Sequence, residues 1–336
     1  MNLKTKNLQE KIVSKKLDGF ISFNPSNIFY LTGFGAENSF IFITRKNATL
    51  VVPELIYQSA KENANCSVEI AKEDFFDRYK NKKIGFEDTI QYCRFKKLRK
   101  KIKIFRDCSG FAEDLRAVKN ETEISKIKTA CKISQKAIEY AGKKLKAGIT
   151  EKELADELEY FLRKNGAEKS AFDIIVASGK NSADPHHKPT NRKFQKNDVV
   201  LIDLGCVYDG YCSDLTRTFF LGKISSKKKK IFEIVKSAQQ KAIDTAKDGV
   251  KCEKIDFAAR DFIAKNGYKN FFIHGTGHGV GIDIHEEPSV SAKSETVLKT
   301  GMVVTVEPGI YIPNKFGVRI EDTVLVTKSG CEVLTK

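Results

Sequence analysis

GITEKELADELEYFLRKNG, residues 148–166, can be laid without a gap on GVKCEKIDFAARDFIAKNG, residues 249–267. Five positions are identical: both end glycines, one phenylalanine and the Lys-Asn before the last glycine; three more exchange Ile, Val or Leu. In each copy a long helical pattern ends at the first glycine, a second ends at Asn-Gly, and a β-rich segment follows. Two amphipathic helices share Phe and Leu by chance, but not their terminating glycines and the order of the elements around them. The second part of the chain therefore reads as a duplicated α+β half-domain. Such a unit places its site at the junction of the halves, supplied by residues from both.

Working outward, Asn120 with Glu123 three residues later forms a capping-box start, and the apolar residues that follow recur at helical spacing. Residues 1 to about 115 differ from this. Short apolar runs at 19–23, 39–44, 48–53, 82–88 and 101–106 alternate with helical patterns, which predicts a small α/β domain. A chain of 336 residues exceeds the usual size of one core, so two domains are expected, 1–115 and 116–336.

A composition of 41% hydrophobic and 30% charged residues describes a globular protein. The N-terminus has no apolar signal core, and no run approaches the ~18 apolar residues of a membrane span, so a cytoplasmic location without membrane contact is expected. Eight scattered cysteines without a C-x-x-C pair fit reduced core residues rather than a disulfide framework. The net charge of +16 comes from lysines spread along the whole length. The one run, Lys227–Lys230, opens a helical pattern, which favours a solvated surface over a nucleic-acid partner.

The chemistry concentrates in three stretches. In VVLIDLGCVYDGYCSDLTRTFF, residues 199–220, Asp209-Gly210 signals a two-residue hairpin turn. Tyr208 then pairs with Tyr211 and Asp203 opposes Thr216, leaving Asp203 and Asp214 on one face with Cβ atoms on the order of 7 Å apart. Near the end of the chain Glu307 closes one apolar run, and Glu321 interrupts another in which Val318, Ile320 and Thr323 favour a strand. A buried carboxylate needs a partner, and Asp203 alone could find it in an arginine such as Arg217. For four of them Arg217 and Arg319 are too few, and metal ions explain them better. Four carboxylates exceed what one ion needs, and a hard, oxygen-rich donor set suits Mn²⁺, Co²⁺ or Mg²⁺ in a two-ion site.

The third stretch, HGTGHGVGIDIH at 274–285, holds three of the five histidines. His274 and His278 have helical spacing, but Gly275, Gly277 and Gly279 argue for a tight loop leading into a strand, with backbone close to a ligand.

Asp203 and Asp214 eleven residues apart, HGTGHGVGIDIH, EPG at 307–309 and RIED at 319–322 together resemble the pita-bread metallopeptidases, which include methionine aminopeptidases, aminopeptidase P and prolidase. DGFISFNPSNIFYLTGF at 18–34 and LRAVKNETEI at 115–124 resemble the N-terminal domain and linker of the creatinase, prolidase and aminopeptidase P branch. The resemblance implies an α+β chain: a pita-bread domain with pseudo-duplicated halves behind a small creatinase-like α/β domain. It implies two divalent ions, manganese first with cobalt or zinc as alternatives. Asp203 would hold one ion, Asp214 and Glu321 would bridge both, and His278 and Glu307 would complete the other. A bridging hydroxide would be the nucleophile and Glu307 the proton shuttle. His186 and His285 would stabilise the tetrahedral intermediate, His274 would contact substrate, and Arg319 would orient the carboxylates. His187, one residue past the family position, would be a loop or rim residue.

The N-terminal domain and PHHKPTNRK at 185–193 favour the branch that cleaves Xaa-Pro bonds, acting on peptides with proline second, and a homodimer is expected. Creatinase lacks the metal ligands that are present here. Some prolidases carry an arginine after the His-Glu-x-Pro segment to hold a dipeptide's carboxylate, whereas this chain has Ser289. The main expectation is therefore an aminopeptidase P-like enzyme. The alternatives are an Xaa-Pro dipeptidase and, more distantly, a non-catalytic binding module.

Overall fold

The apolar runs of the first 116 residues pair into a single six-stranded sheet. The computed structural model describes residues 3–336, and the chain divides into two units between Arg116 and Ala117. In the first unit the runs become the strands Gly19–Ser22, Phe40–Thr44, Ala48–Val52, Lys83–Phe86 and Ile104–Asp107. A sixth strand, Ser67–Ile70, has no apolar run to announce it: it lies at the sheet edge with Ser67 and Glu69 exposed. The three central strands are antiparallel to one another, and the neighbours on either side of them run parallel. Phe40, Phe42, Phe75 and Phe76 pack together over this sheet.

The second unit repeats its architecture as its sequence does. The first half opens with the helix Glu121–Lys144. Its capping box is complete: the Asn120 side chain accepts from the Glu123 amide at 3.0 Å and the Glu123 carboxylate from the Asn120 amide at 2.9 Å. Glu151–Lys164 follows, and Ser226–Thr245 with Cys252–Lys265 form the matching pair of the second half. The two copies also share their backbone bonding. The amides of Gly148, Glu151 and Lys152 donate to the carbonyls of Phe194, Arg192 and Thr190, while those of Gly249, Cys252 and Glu253 donate to Leu298, Thr296 and Ser294. Nine residues beyond Phe194 stands Asp203, and nine beyond Leu298 stands Glu307. Each half buries its own apolar cluster between its helices and strands.

The hairpin register is the one the Asp-Gly turn requires. Tyr208 faces Tyr211, Thr216 faces Asp203, and Asp209 and Gly210 take φ of 46° and 75°, the left-handed pair of a type I′ turn. The hairpin nevertheless breaks in the middle. Its base, Val199–Leu204 with Leu215–Phe220, joins Ile175–Ser178, whereas its tip, Cys206–Tyr208 with Tyr211–Cys212, joins Lys169–Ser170 in another sheet. Gly205 makes the bend possible, because a Cβ there would collide with the Ser213 carbonyl. Asp214 sits at this break.

Glu321 departs from expectation in the same way. It does not lie inside one strand but between Phe316–Arg319 and Asp322–Val326, which belong to different sheets. The Glu321 amide donates to the Thr216 carbonyl of the first half at 3.2 Å, so the chain changes sheet where it meets the other half. Among the described residues the cysteines are all free; five of the eight are buried, so most fill the core, and Cys93 is exposed. Among the described residues no helix is long and apolar enough to cross a membrane.

Gly205→Ala is expected to cost the second unit about 1–3 kcal/mol through the clash with Ser213. An unchanged midpoint of chemical denaturation would show that the bend tolerates a side chain.

Candidate functional site

The breaks between strands bring the acids together. Asp203 lies near the end of Val199–Leu204, Asp214 just before Leu215–Phe220, Glu307 just after Val303–Val306, and Glu321 just before Asp322–Val326. Asp203, Asp214 and Glu321 are buried, and Glu307 is half-buried. Single donor atoms of Asp214, His278 and Glu321 all lie within 4.8 Å of one another, an arrangement that can hold a metal ion. His278 Nε2 is 3.5 Å from Asp214 Oδ2 and 3.4 Å from Glu307 Oε1. Residues from both halves of the duplicated unit thus meet at one point.

Positive charge is scarce there. Arg319 Nη2 lies 2.5 Å from Asp203 Oδ2, its Nη1 donates to Tyr311 Oη at 2.8 Å, and its Nε donates to Thr216 Oγ1 at 3.1 Å. Arg217 is not the partner of Asp203. Its guanidinium points away, to Asp322 at 2.7 Å and the Thr335 carbonyl at 2.9 Å, and it supports the Glu321 backbone carbonyl. Asp203 Oδ1 is buried with no hydrogen-bond partner among the described residues. Burial pushes the Asp214 and Glu321 carboxyls well above the usual carboxylate range, and the neighbouring acids push them further. Glu307 is pushed up to about 7, chiefly by burial, with Asp203 raising it and Arg319 opposing. A buried oxygen with no protein donor, beside buried carboxyls whose pKa values are raised by burial and by one another, is a donor set that a cation would satisfy, so the residues fit divalent metal.

The glycines of HGTGHGVGIDIH let this stretch press against its neighbour. A Cβ at Gly277 would collide with the Thr305 carbonyl, and the His278 amide donates to Thr305 Oγ1 at 3.0 Å. As expected, His274 lies in a loop and His278 in a short strand, Gly277–Gly279. The His278 Nδ1 faces the Gly279 carbonyl at 3.1 Å, which assigns the ring proton to Nδ1 and turns the Nε2 lone pair toward Asp214 and Glu307. Burial, and then the His285 ring at 4.3 Å, lower its pKa to about 4 and keep it neutral.

His274 stands outside this cluster. Its Nδ1 faces the Gly275 carbonyl at 2.7 Å and its Nε2 faces Tyr311 Oη at 2.9 Å, completing a chain from His274 through Tyr311 and Arg319 to Asp203. Burial, and then Arg319, lower its pKa to about 4. Beneath this loop Asp256, fully buried on Cys252–Lys265, accepts from the Thr276 amide at 3.1 Å and from Thr276 Oγ1 at 2.9 Å. Arg260 clasps Asp256 with two nitrogens and donates to the His274 carbonyl at 2.6 Å. Sequence reading did not find Tyr311, Asp256 or Arg260. An acid and an arginine four residues apart on a helix was the available signal for the last two.

The acids open onto a cleft of about 500 Å³ whose walls include His186, Lys188, His274, His285 and Ser289. His186 and His285 are exposed on its wall. His187 is not a free rim residue: its side chain is only 12% exposed, and Nε2 lies 2.9 Å from the buried Glu151 carboxylate.

Comparison with known proteins identifies the family of both units. Residues 125–328 match the model of metallopeptidase family M24, and residues 4–118 match the creatinase/prolidase N-terminal domain. A protein of Pyrococcus horikoshii named Xaa-Pro dipeptidase is 43% identical, the match covering 100% of this chain and 97% of the relative. The crystal structure of a prolidase from Pyrococcus horikoshii superposes with a TM-score of 0.96 at 43% identity, covering 100% of this chain and 98% of that one. An X-Pro aminopeptidase structure from Thermotoga maritima reaches 0.91 at 36% identity, covering 99% of this chain and 97% of that one.

Raised carboxyl pKa values mean that the stripped protein holds protons a cation must displace. Metal loading is therefore expected to release protons and to tighten as pH rises toward 8. Titration calorimetry in buffers of different ionisation enthalpy checks this, and identical heats in all buffers would contradict it.

Proposed function

The chain belongs to metallopeptidase family M24, and from that premise we propose that it is an Xaa-Pro dipeptidase. The observation that carries the choice is the full-length similarity to a relative of that name. Against it stands Ser289, the residue that points toward an aminopeptidase. One position weighs less than similarity along the whole chain. The cleft also contains Lys188, a cation with no ion-pair partner among the described residues, which is suited to a dipeptide's carboxylate. The similarity to the Thermotoga maritima aminopeptidase structure keeps cleavage of longer peptides as the second reading.

Asp203, Asp214, His278, Glu307 and Glu321 would hold two divalent cations, with manganese favoured by the oxygen-rich donor set. When bound, such cations supply Lewis-acid polarisation of the scissile carbonyl and an acidified water. The protein's own groups do the rest. Glu307, beside His278 at the edge of the acid cluster, would be the group that takes a proton and returns it to the leaving proline nitrogen. His186 and His285, exposed on the cleft wall, are suited to donate to the carbonyl oxygen as it gains charge. His274, tied to Tyr311, offers a substrate contact, while Arg319 holds Asp203 in place.

The test is hydrolysis of Ala-Pro and Ala-Pro-Ala by protein stripped and reloaded with Mn²⁺, Co²⁺ or Zn²⁺, with products identified by mass. The dipeptide is expected to be the better substrate, and preference for the tripeptide would establish the second reading. Lys188→Ala should raise KM for Ala-Pro about tenfold, the worth of one charge-assisted hydrogen bond, while leaving Ala-Pro amide unchanged. Equal effects on both would remove Lys188 from carboxylate binding.

A further inference from the structure

His186 has a positional problem that its own side chain does not solve. It is exposed on the cleft wall, and its ring makes no hydrogen bond among the described residues. Its place must therefore be set by the backbone of the segment 184–190. The His186 amide donates to Asp184 Oδ1 at 3.0 Å, which shapes the turn locally, and Arg319 donates to the Pro185 carbonyl at 3.3 Å. The firmest anchor comes from elsewhere.

Glu151 opens the helix Glu151–Lys164, and its side chain is fully buried. It is not needed to cap that helix, because Thr150 and Glu153 already form a complete capping box. Its carboxylate instead gathers donors from both sides of His186. On the near side, Oε1 accepts from the Ser178 amide at 2.8 Å, from Ser178 Oγ at 2.7 Å and from Asn181 Nδ2 at 3.0 Å. On the far side, Oε2 accepts from His187 Nε2 at 2.9 Å, from the Thr190 amide at 3.1 Å and from Thr190 Oγ1 at 2.7 Å. These hydrogen bonds outweigh the cost of burial and hold the Glu151 pKa below the usual carboxylate value. Asp256, on the matching helix of the other half, grips the loop between His274 and His278 in the same manner.

We propose that Glu151 is a positioning residue for the reaction, tying together the two strands of chain that flank His186 so that its imidazole is held at the substrate's carbonyl. This rests on the reading that His186 serves that carbonyl. Replacement by glutamine keeps the shape but turns an amide group toward one set of donors. If the amide faces His187 and Thr190, the Thr190 amide loses its acceptor, and the segment loosens on the side next to His186.

The experiment is a double-mutant cycle on the metal-loaded protein with Ala-Pro as substrate, measuring kcat, KM, metal content and thermal midpoint for Glu151→Gln, His186→Ala and the pair. Glu151→Gln is expected to lower kcat about ten- to a hundredfold, as small misplacements of a catalytic group do, with KM and metal content little changed. In the His186→Ala background the same substitution should cost almost nothing further. An equal loss in both backgrounds would overturn the proposal and make Glu151 a general support of the fold. A silent His186→Ala would overturn the reading of His186 itself, and the proposal with it. Thr190→Val, an exposed site where one side-chain hydrogen bond to Glu151 is lost, guards against a variant that fails to fold. It should show a smaller kcat loss that also vanishes when His186 is absent, and its persistence there would count against the proposal as well.

Discussion

A single guanidinium, that of Arg319, faces Asp203, Glu307 and Glu321, with Asp214 close by, and the organisation of the second unit follows from that shortage of positive charge. Four carboxyl groups set among apolar strands cannot all be ionised beside one arginine without a large electrostatic cost. The protein eases part of this with neutral donors: Thr216 donates to Glu321 at 2.6 Å and Thr305 to Glu307 at 3.3 Å. The remainder is left for cations. These hydroxyls orient Glu321 and Glu307, and Arg319 orients Asp203.

The duplication explains how so many acids come to one place. Each half supplies a hairpin whose strands are broken where an acid must turn inward, at Gly205 in one half and at Glu321 in the other. Each also supplies a helix with a fully buried carboxylate beneath a histidine-bearing segment, Glu151 under 184–190 and Asp256 under 274–278. The correspondence is not residue for residue. Glu151 aligns with Cys252, and Asp256 lies about a turn further along its helix, so one architectural solution is met by different side chains.

Much of this could be read from the sequence because it is local. The Asp209-Gly210 turn sets the pairing of Asp203 with Thr216, the Asn120 capping box sets a helix start, and the glycines of 274–285 forbid a helix for His278. What could not be read depends on close approach between distant segments. The break at Glu321 goes with the contact of its amide with Thr216 across the two halves, and the break at Gly205 with the close approach of Ser213. Tyr311 looks like a core aromatic until His274 and Arg319 are found at its hydroxyl. His187 looks like a loop residue until Glu151 is found beneath it. The strand Ser67–Ile70 is polar on alternate residues because it is an edge, and an edge is a property of the sheet, not of the segment. Substrate length is the hardest property to read, because loops and neighbouring domains set it and the sequence offers only Ser289 as a local sign.

The central claim is that the carboxylates of the two halves share a pair of cations. Electron paramagnetic resonance of the Mn²⁺-loaded protein tests it most directly. Two ions roughly 3.5–4 Å apart and bridged by carboxylates give the signal of an exchange-coupled pair, and that is the result expected. A spectrum of isolated Mn²⁺ at full loading would contradict the claim, and would leave the acids as a single-ion site crowded with excess charge.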